Sequence, residues 1–303
     1  MILRIAFVFI LMLNAMMSFG QATVIVLGTA QDGGYPQMGC GRACCVRTQQ
    51  HDSLKQMVVS LALADVQQKK WWLFEATPDI KAQLNLFAEV TNHQFNFLPD
   101  GIFITHAHIG HYTGLMQLGR EVMNAQQVPV YTLPQLKKFL ETNGPWSQLV
   151  QLKNISLIAL TEEKPQLLPG ENSVIALRVP HRDEFSETAG FKIITPTTRY
   201  LFIPDIDKWS KWDKDIVKEV RAVDVAYLDA TFFSADELPN RKISEVPHPL
   251  VSETMALFEN ERKEVKNKIH FIHFNHTNPV LYDVNTQLKL KQAGFRWATQ
   301  VKP

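Results

Sequence analysis

Several things are scarce or missing from this chain, and each absence excludes something. Basic and acidic residues number 31 and 30, so no excess of one sign marks a surface for nucleic acid or anionic lipid. Past the first two dozen residues, no apolar run reaches the roughly 18–20 residues that a bilayer-spanning helix needs. There is no P-loop and no dinucleotide fingerprint; Gly33-Gly34 before Tyr35 and Pro36 is a tight loop without the spacing of either. No linker, repeat or low-complexity tract divides the chain. Cysteine is nearly absent. The three present, Cys40, Cys44 and Cys45, sit within one short segment and cannot all pair with one another.

Hydrophobic residues make up 46% of the 303, enough for the core of one large α/β domain. The N-terminus reads MILRIAFVFILMLNAMMSFGQA, with Arg4 the only charged side chain before Asp32. A basic start, an apolar stretch over 5–13 and small residues before a cut form the pattern of a secretory signal peptide. The expectation is a leader over 1–22, a single domain over 23–303, and export to the periplasm or medium. A retained anchor is the other reading, but the apolar stretch is short for a span. Without the leader no stable membrane insertion is expected. Cys40 lies too far along the chain for a lipoprotein anchor.

Short apolar runs bounded by turn residues alternate with helical patterns. They predict strands over 24–27, 57–62, 71–74, 101–104, 174–179, 190–194, 200–203, 225–228 and 270–272. Helices are predicted over 78–89, 112–124, 134–142, 214–220, 250–261 and 283–292. Polar residues recur just past the strands: Glu75, His106, His181, Asp205, Asp229 and His273. Loops at strand ends are where rigid scaffolds carry chemistry, so six such residues suggest one rim.

The densest signal is T-H106-A-H108-I-G110-H111. Side chains alternate along an extended segment, so His106 and His108 can face one ion, and His111 reaches a neighbouring point from the turn into the next helix. Neutral imidazole is a good ligand for zinc or iron.

This motif, with V-P-H181-R, I-P-D205 and F-I-H273-F-N, resembles the metallo-β-lactamase superfamily. The opening V-L-G28-T-A-Q-D-G-G-Y-P-Q, together with Y-L-D229-A-T-F-F, V-P-H248-P and H-F-N-H-T-N-P, is similar to the branch containing the coenzyme PQQ biosynthesis proteins and related cyclic phosphodiesterases. The resemblance runs from about Val24 to about Tyr282. It implies an αββα four-layer sandwich. It also implies one site from His106, His108 and His181, a second from His111 and His273, and Asp205 bridging both. Zinc is the expected ion, one or two, with iron or manganese as alternatives. Asp205, Asp229 and His276 are the implied catalytic residues, and Glu75 the acceptor that orients a ligand imidazole.

The family motif is H-x-H-x-D-H, and here its aspartate position is Gly110. The second ion is therefore expected to be weak, absent or held by another group, with His276 and Asp207 as candidates. An aspartate placed at 110 is expected to tighten it. The resemblance also implies a structural zinc on Cys40, Cys44 and Cys45 with His248 as fourth ligand, although Arg42 stands where the family has its middle cysteine. A disulfide from Cys40, or three buried thiols, are the alternatives.

These readings predict a hydrolase that uses metal-activated water on an ester or phosphodiester of a small molecule, with no nucleic-acid partner. The oligomeric state is left open, a homodimer included. The alternatives are an iron-dependent redox enzyme like those of PQQ biosynthesis, or a binding protein with a degenerate centre. The PQQ proteins tend to lose some of these histidines and this chain keeps them, which counts against the redox reading.

Overall fold

The computed structural model describes residues 22–239 and 241–303. The predicted leader lies outside them, except for Ala22, which opens the first strand.

Six strands form the first sheet in chain order: β1 (Ala22–Gly28), β2 (Ser60–Asp65), β3 (Lys70–Phe74), β4 (Gly101–Phe103), β5 (Val128–Thr132) and β6 (Ile155–Ala159). The second holds β7 (Pro165–Leu168), β8 (Asn172–Val179), β9 (Thr188–Ile194), β10 (Arg199–Ile203), β11 (Val225–Asp229), β12 (Ile269–Ile272) and β13 (Arg296–Trp297), ordered from β13 to β7. Each sheet begins antiparallel and ends parallel: β1–β3 then β3–β6, and β7–β10 then β10–β13. Parallel strands share the direction of their C-terminal ends, so the residues just past β3 and β4, or past β10, β11 and β12, arrive at one edge.

Period-two alternation sorts the side chains into layers. In β3, Trp72 and Phe74 face the second sheet while Trp71 and Leu73 face helices. In β10, Tyr200 and Phe202 face inward while Leu201 and Ile203 face helices on the other side. Both faces are buried, so these strands read as unbroken apolar runs rather than as alternation. Phe74 stacks on Phe103 of its own sheet with centroids 5.0 Å apart, and meets Phe191 and Phe202 of the other sheet edge-on at 5.7 and 6.3 Å. Outside the first sheet, Trp71 stacks at 3.9 Å on Phe87 of the helix Ile80–Val90. Helices Ile216–Arg221, Val251–Leu257 and Val284–Gln292 cover the second sheet. The layers are helix, sheet, sheet, helix, as the resemblance implied.

Two of the predicted elements that differ in detail are β2 and the helix after His111. The strand expected over 57–62 starts at Ser60; before it, Met57 accepts from the backbone N–H of Thr29 and Ala30 at 2.9 and 3.0 Å. The helix expected over 112–124 is one α-turn, Ile109–Tyr112, followed by a 3-10 stretch, Thr113–Leu118. A close approach of backbones causes this: Gly114 N–H donates to Ala76 at 2.8 Å, and a Cβ on Gly114 would lie 2.1 Å from the Thr77 carbonyl. The same clamp includes Ala76 N–H to the His111 carbonyl at 2.9 Å, which pins the histidine motif to the turn after β3.

Candidate metal centre

Four ligand atoms converge at the edge where β4, β8 and β10 end. His106, His108, His181 and Asp205 each offer one donor within 4.8 Å of the others. His108 Nδ1 lies 2.8 Å from His106 Nε2 and 3.2 Å from His181 Nε2. Asp205 Oδ2 is 3.4 Å from His106 Nε2 and 3.2 Å from His181 Nε2. A ring N–H can join one pair of these nitrogens, but three imidazole nitrogens and a carboxylate oxygen gathered at one buried point also form a donor set for a cation.

The far nitrogens of His106 and His108 are held by neighbours, as those of metal-ligating histidines usually are, while His181 Nδ1 has no partner among the described residues. His106 Nδ1 meets Thr105 Oγ1 at 2.9 Å, and His108 Nε2 meets Glu184 at 2.8 Å. Burial, with the charge of His111 beside it, pushes His106 well below the usual imidazole value. Burial lowers His108 as well, against the pull of Glu184. Both are therefore neutral near pH 7, the form that binds metal.

A second group adjoins the first. Asp32, His111 and His273 bring donors within 4.8 Å of one another, and His111 Nε2 is 3.8 Å from Asp205 Oδ2. Asp32 Oδ1, His111 Nε2 and His273 Nε2 are all buried with no hydrogen-bond partner among the described residues. Native interiors rarely leave buried polar atoms so, and orphans pointing at one place fit a cation there. Glu75 Oε1 lies 3.4 Å from His111 Nδ1, and Glu75 Oε2 accepts from Thr105 N–H at 3.3 Å. Glu75 is thus the buried carboxylate beside the His111 ring. Burial would lower His111, but Glu75, Asp32 and Asp205 outweigh it and raise it to about 9. His273 Nδ1 is held by Thr231 Oγ1 at 3.0 Å. Glu75 and His273, each the first residue past a parallel strand, have left-handed backbones, with φ of 74° and 66°. Such conformations cost about 1–3 kcal/mol and gather at functional sites.

Two predicted histidines have exchanged places. His248, expected beside the cysteines, sits instead in the centre: its Nδ1 is 3.2 Å from Asp205 Oδ1 and 3.0 Å from Asp229 Oδ2. Burial would lower it, but Asp229 and Asp205 raise it to about 10. Both carboxylates are themselves depressed, since the histidines around them outweigh burial. Asp229 also accepts from Thr231 Oγ1 at 2.7 Å, so it supports His248 and Thr231 rather than reaching the first group. His276, expected in the catalytic set, lies with its Nδ1 3.3 Å from Cys45 Sγ, in a group with Cys40. Cys44 is outside that group; its carbonyl accepts from the Tyr35 hydroxyl at 3.0 Å. Adjacent residues of the helix Ala43–Gln49 point in different directions, so only Cys45 of the pair turns inward. All three thiols are free, and burial is the leading cause that raises Cys45 to about 12. Two thiols and an imidazole suit zinc. Asp207, a candidate for the second ion, is paired with Lys211 at 2.8 Å instead.

Sequence reasoning missed Asp32, Thr231 and Glu184. Asp32 stood only as one letter of the opening motif; as the first charge after Arg4, next to a glycine pair, it was open to notice.

Comparison with known proteins agrees with this fold. The profile of the beta-lactamase superfamily domain matches residues 70–271. Coenzyme PQQ synthesis protein B of Rhizobium meliloti (strain 1021) is 24% identical over 300 residues, covering 90% of this chain and 94% of that protein. The Zn(2+)-bound PqqB from Methylobacterium extorquens superposes with a TM-score of 0.74 at 20% identity, over 92% of this chain and 98% of that one. A diphosphatase from the PhnP family superposes with a TM-score of 0.65 at 21% identity, over 93% and 95%.

Proposed function

Since the chain belongs to the beta-lactamase superfamily, we propose that it is a metal-dependent hydrolase acting with metal-activated water on an ester or phosphodiester bond of a small molecule. The observation that carries this reading is the convergence of His106, His108, His181 and Asp205, three imidazoles and a carboxylate within 4.8 Å. A divalent ion held there lowers the pKa of its water from 15.7 toward about 7 and polarises a phosphoryl or carbonyl oxygen.

The chain's own residues do the rest. Asp205 Oδ2 faces both donor groups, 3.2 Å from His181 Nε2 and 3.8 Å from His111 Nε2, so it is placed to bridge. His248, held between Asp205 and Asp229 and raised by them, lies beside the centre and suits protonation of a departing oxygen. Thr105, Glu184, Glu75 and Thr231 fix the ligand rings and thereby the direction of attack. Cys40, Cys45 and His276 form a separate corner that suits a structural zinc. Export is part of the proposal. It rests on the leader pattern alone, and N-terminal sequencing of the secreted chain tests it. No helix of the described residues is long and apolar enough to cross a membrane.

The names of the relatives favour a second reading, a redox enzyme like the PQQ synthesis proteins, because imidazole suits iron as well as zinc. One experiment separates the two: metal analysis of protein purified without chelator, followed by assay on bis(p-nitrophenyl) phosphate and by oxygen uptake. Zinc or manganese with phosphodiester turnover is the expected result. Iron with oxygen consumption sinks the hydrolase reading, and tight metal with neither activity leaves a binding protein.

A further inference from the structure

We infer that Asp32 is the carboxylate ligand of the second ion, supplied from the loop after β1 in place of the aspartate missing at 110, and that position 110 is glycine because Asp32 fills its side-chain space. The inference rests on the metal-centre reading above and adds the ligand that the motif lacks.

Three observations carry it. Asp32 Oδ1 lies 3.5 Å from His111 Nε2, and Asp32, His111 and His273 form one donor group. Asp32 Oδ1, His111 Nε2 and His273 Nε2 are each buried without a hydrogen-bond partner among the described residues, although Asp32 Oδ2 has Gln31 Nε2 at 3.5 Å. The free oxygen is thus the one turned toward the two imidazoles. Finally, a Cβ built on Gly110 would lie 2.0 Å from Asp32 Oδ1 and 2.8 Å from both its Cγ and its Cα. Gly110 is not among the residues with positive φ, so its backbone does not require glycine, and the volume it leaves is what matters. Two carboxylates cannot both occupy it.

The loop is placed for this task. Gln31 N–H donates to the Phe274 carbonyl at 2.9 Å, and Phe274 N–H donates to the Thr29 carbonyl at 2.9 Å. Asp32 and His273 therefore arrive on two strands' ends tied to each other. A carboxylate with two imidazoles, bordered by Asp205, suits zinc or manganese.

The motif alone predicts that an aspartate at 110 tightens the second ion. The geometry predicts the opposite, since its Cβ meets both the Asp32 carboxylate and its backbone. The test is titration of metal-stripped protein with Mn(II), which thiols bind poorly, read by calorimetry and by the EPR signal of coupled against isolated Mn(II). Wild type is expected to take two ions. Asp32→Asn is expected to keep one and to lose about a hundredfold or more in affinity for the other, because even outer-shell partners of metal ligands are worth 10–100-fold. Asp32→Gly gives the same reading should the asparagine variant fold poorly. Gly110→Asp alone is expected to lower the melting temperature of the stripped protein without any gain in affinity. Asp32→Gly combined with Gly110→Asp recovers part of the second ion. Wild type with a single ion, or Asp32→Asn with two at unchanged affinity, overturns the inference while leaving the first site intact. A double variant no better than Asp32→Gly overturns the claim of shared space. Wild type that takes up no ion at all sinks the metal centre itself.

Discussion

The two halves of the centre make an instructive contrast. The first draws His106 and His108 from one extended stretch and adds His181 and Asp205 from the ends of β8 and β10. Burial lowers two of its imidazoles, those of His106 and His108, and keeps them neutral at pH 7. The second assembles His111, His273 and Asp32 from a turn, a strand end and a distant loop. Its histidine His111 is raised to about 9 by three carboxylates. The first half offers His106 and His108 already neutral. The second holds a proton on His111 until an ion displaces it, so it should fill later and depend more on its surroundings.

The hardest blow to the contrast is to remove the ready half. His181→Ala leaves Asp205 without one of its close partners and the first ion without one of its ligands. We expect the first ion to be lost and turnover to fall by about a thousandfold or more, beyond the 10–100-fold typical of outer-shell changes. Metal analysis and the phosphodiester assay check this. Retention of the second ion in that variant would show that the halves fill independently.

The difference in protonation gives the next largest effect. His111 has a folded pKa of about 9, so in metal-free protein at pH 7 it carries a proton that an arriving ion must expel. Second-site affinity should therefore fall about tenfold per pH unit from 9 down to 7, while first-site affinity, with His106 already deprotonated, stays nearly level. For stability the sign is that of a raised histidine: the stabilisation is fully present below the unfolded pKa near 6.5 and is lost as pH rises through about 9. Chelator competition at pH 7, 8 and 9 reads the two affinities. Parallel slopes for both sites would erase the contrast.

Glu75→Gln sharpens the same comparison more gently. It removes the charge that contributes most to raising His111, but keeps a hydrogen-bonding group beside Nδ1 at the 3.4 Å position. Second-site affinity is expected to fall by about 10–100-fold and its pH slope to flatten between 7 and 9. The first site should be unmoved. A variant that weakens both ions equally would make Glu75 a general structural residue.

Legibility in the sequence divides along the same line. The histidine triplet was legible because side-chain alternation acts over two residues and leaves a signature at that spacing. The sandwich could be read from apolar runs such as W-W-L-F and Y-L-F-I, whose burial on both faces is the reason for their composition. β5 and β6 were missed because V-P-V-Y-T contains Pro129, and because I-S-L-I-A is short and interrupted by Ser156. The exchange of His248 and His276 was not legible. Both lie in segments rich in turn residues, and their destinations depend on which loop packs on which. Asp32 escaped for a related reason: the gap it fills, above Gly110, lies 78 positions away in sequence and exists only in the packed chain.

The cysteine corner offers the finest test, because it supplies no donor to the second half. Cys40 and Cys45 come after the Asp32 loop, and His276 after His273, so a zinc on that corner ties together the two segments that carry second-site donors. Among the ties that remain without it are the Gln31–Phe274 and Phe274–Thr29 backbone bonds, both 2.9 Å. Those bonds survive Cys45→Ser, so Asp32 and His273 should stay close but less firmly held. The expected result is a lower melting temperature and a second ion weakened by less than about tenfold, a small effect because no ligand or outer-shell partner is removed. Calorimetric titration with Mn(II) and thermal unfolding measure both. If Cys45→Ser shifted the first ion as much as the second, the corner would brace the whole rim. If it shifted neither, the Asp32 loop would be fixed by its backbone bonds alone.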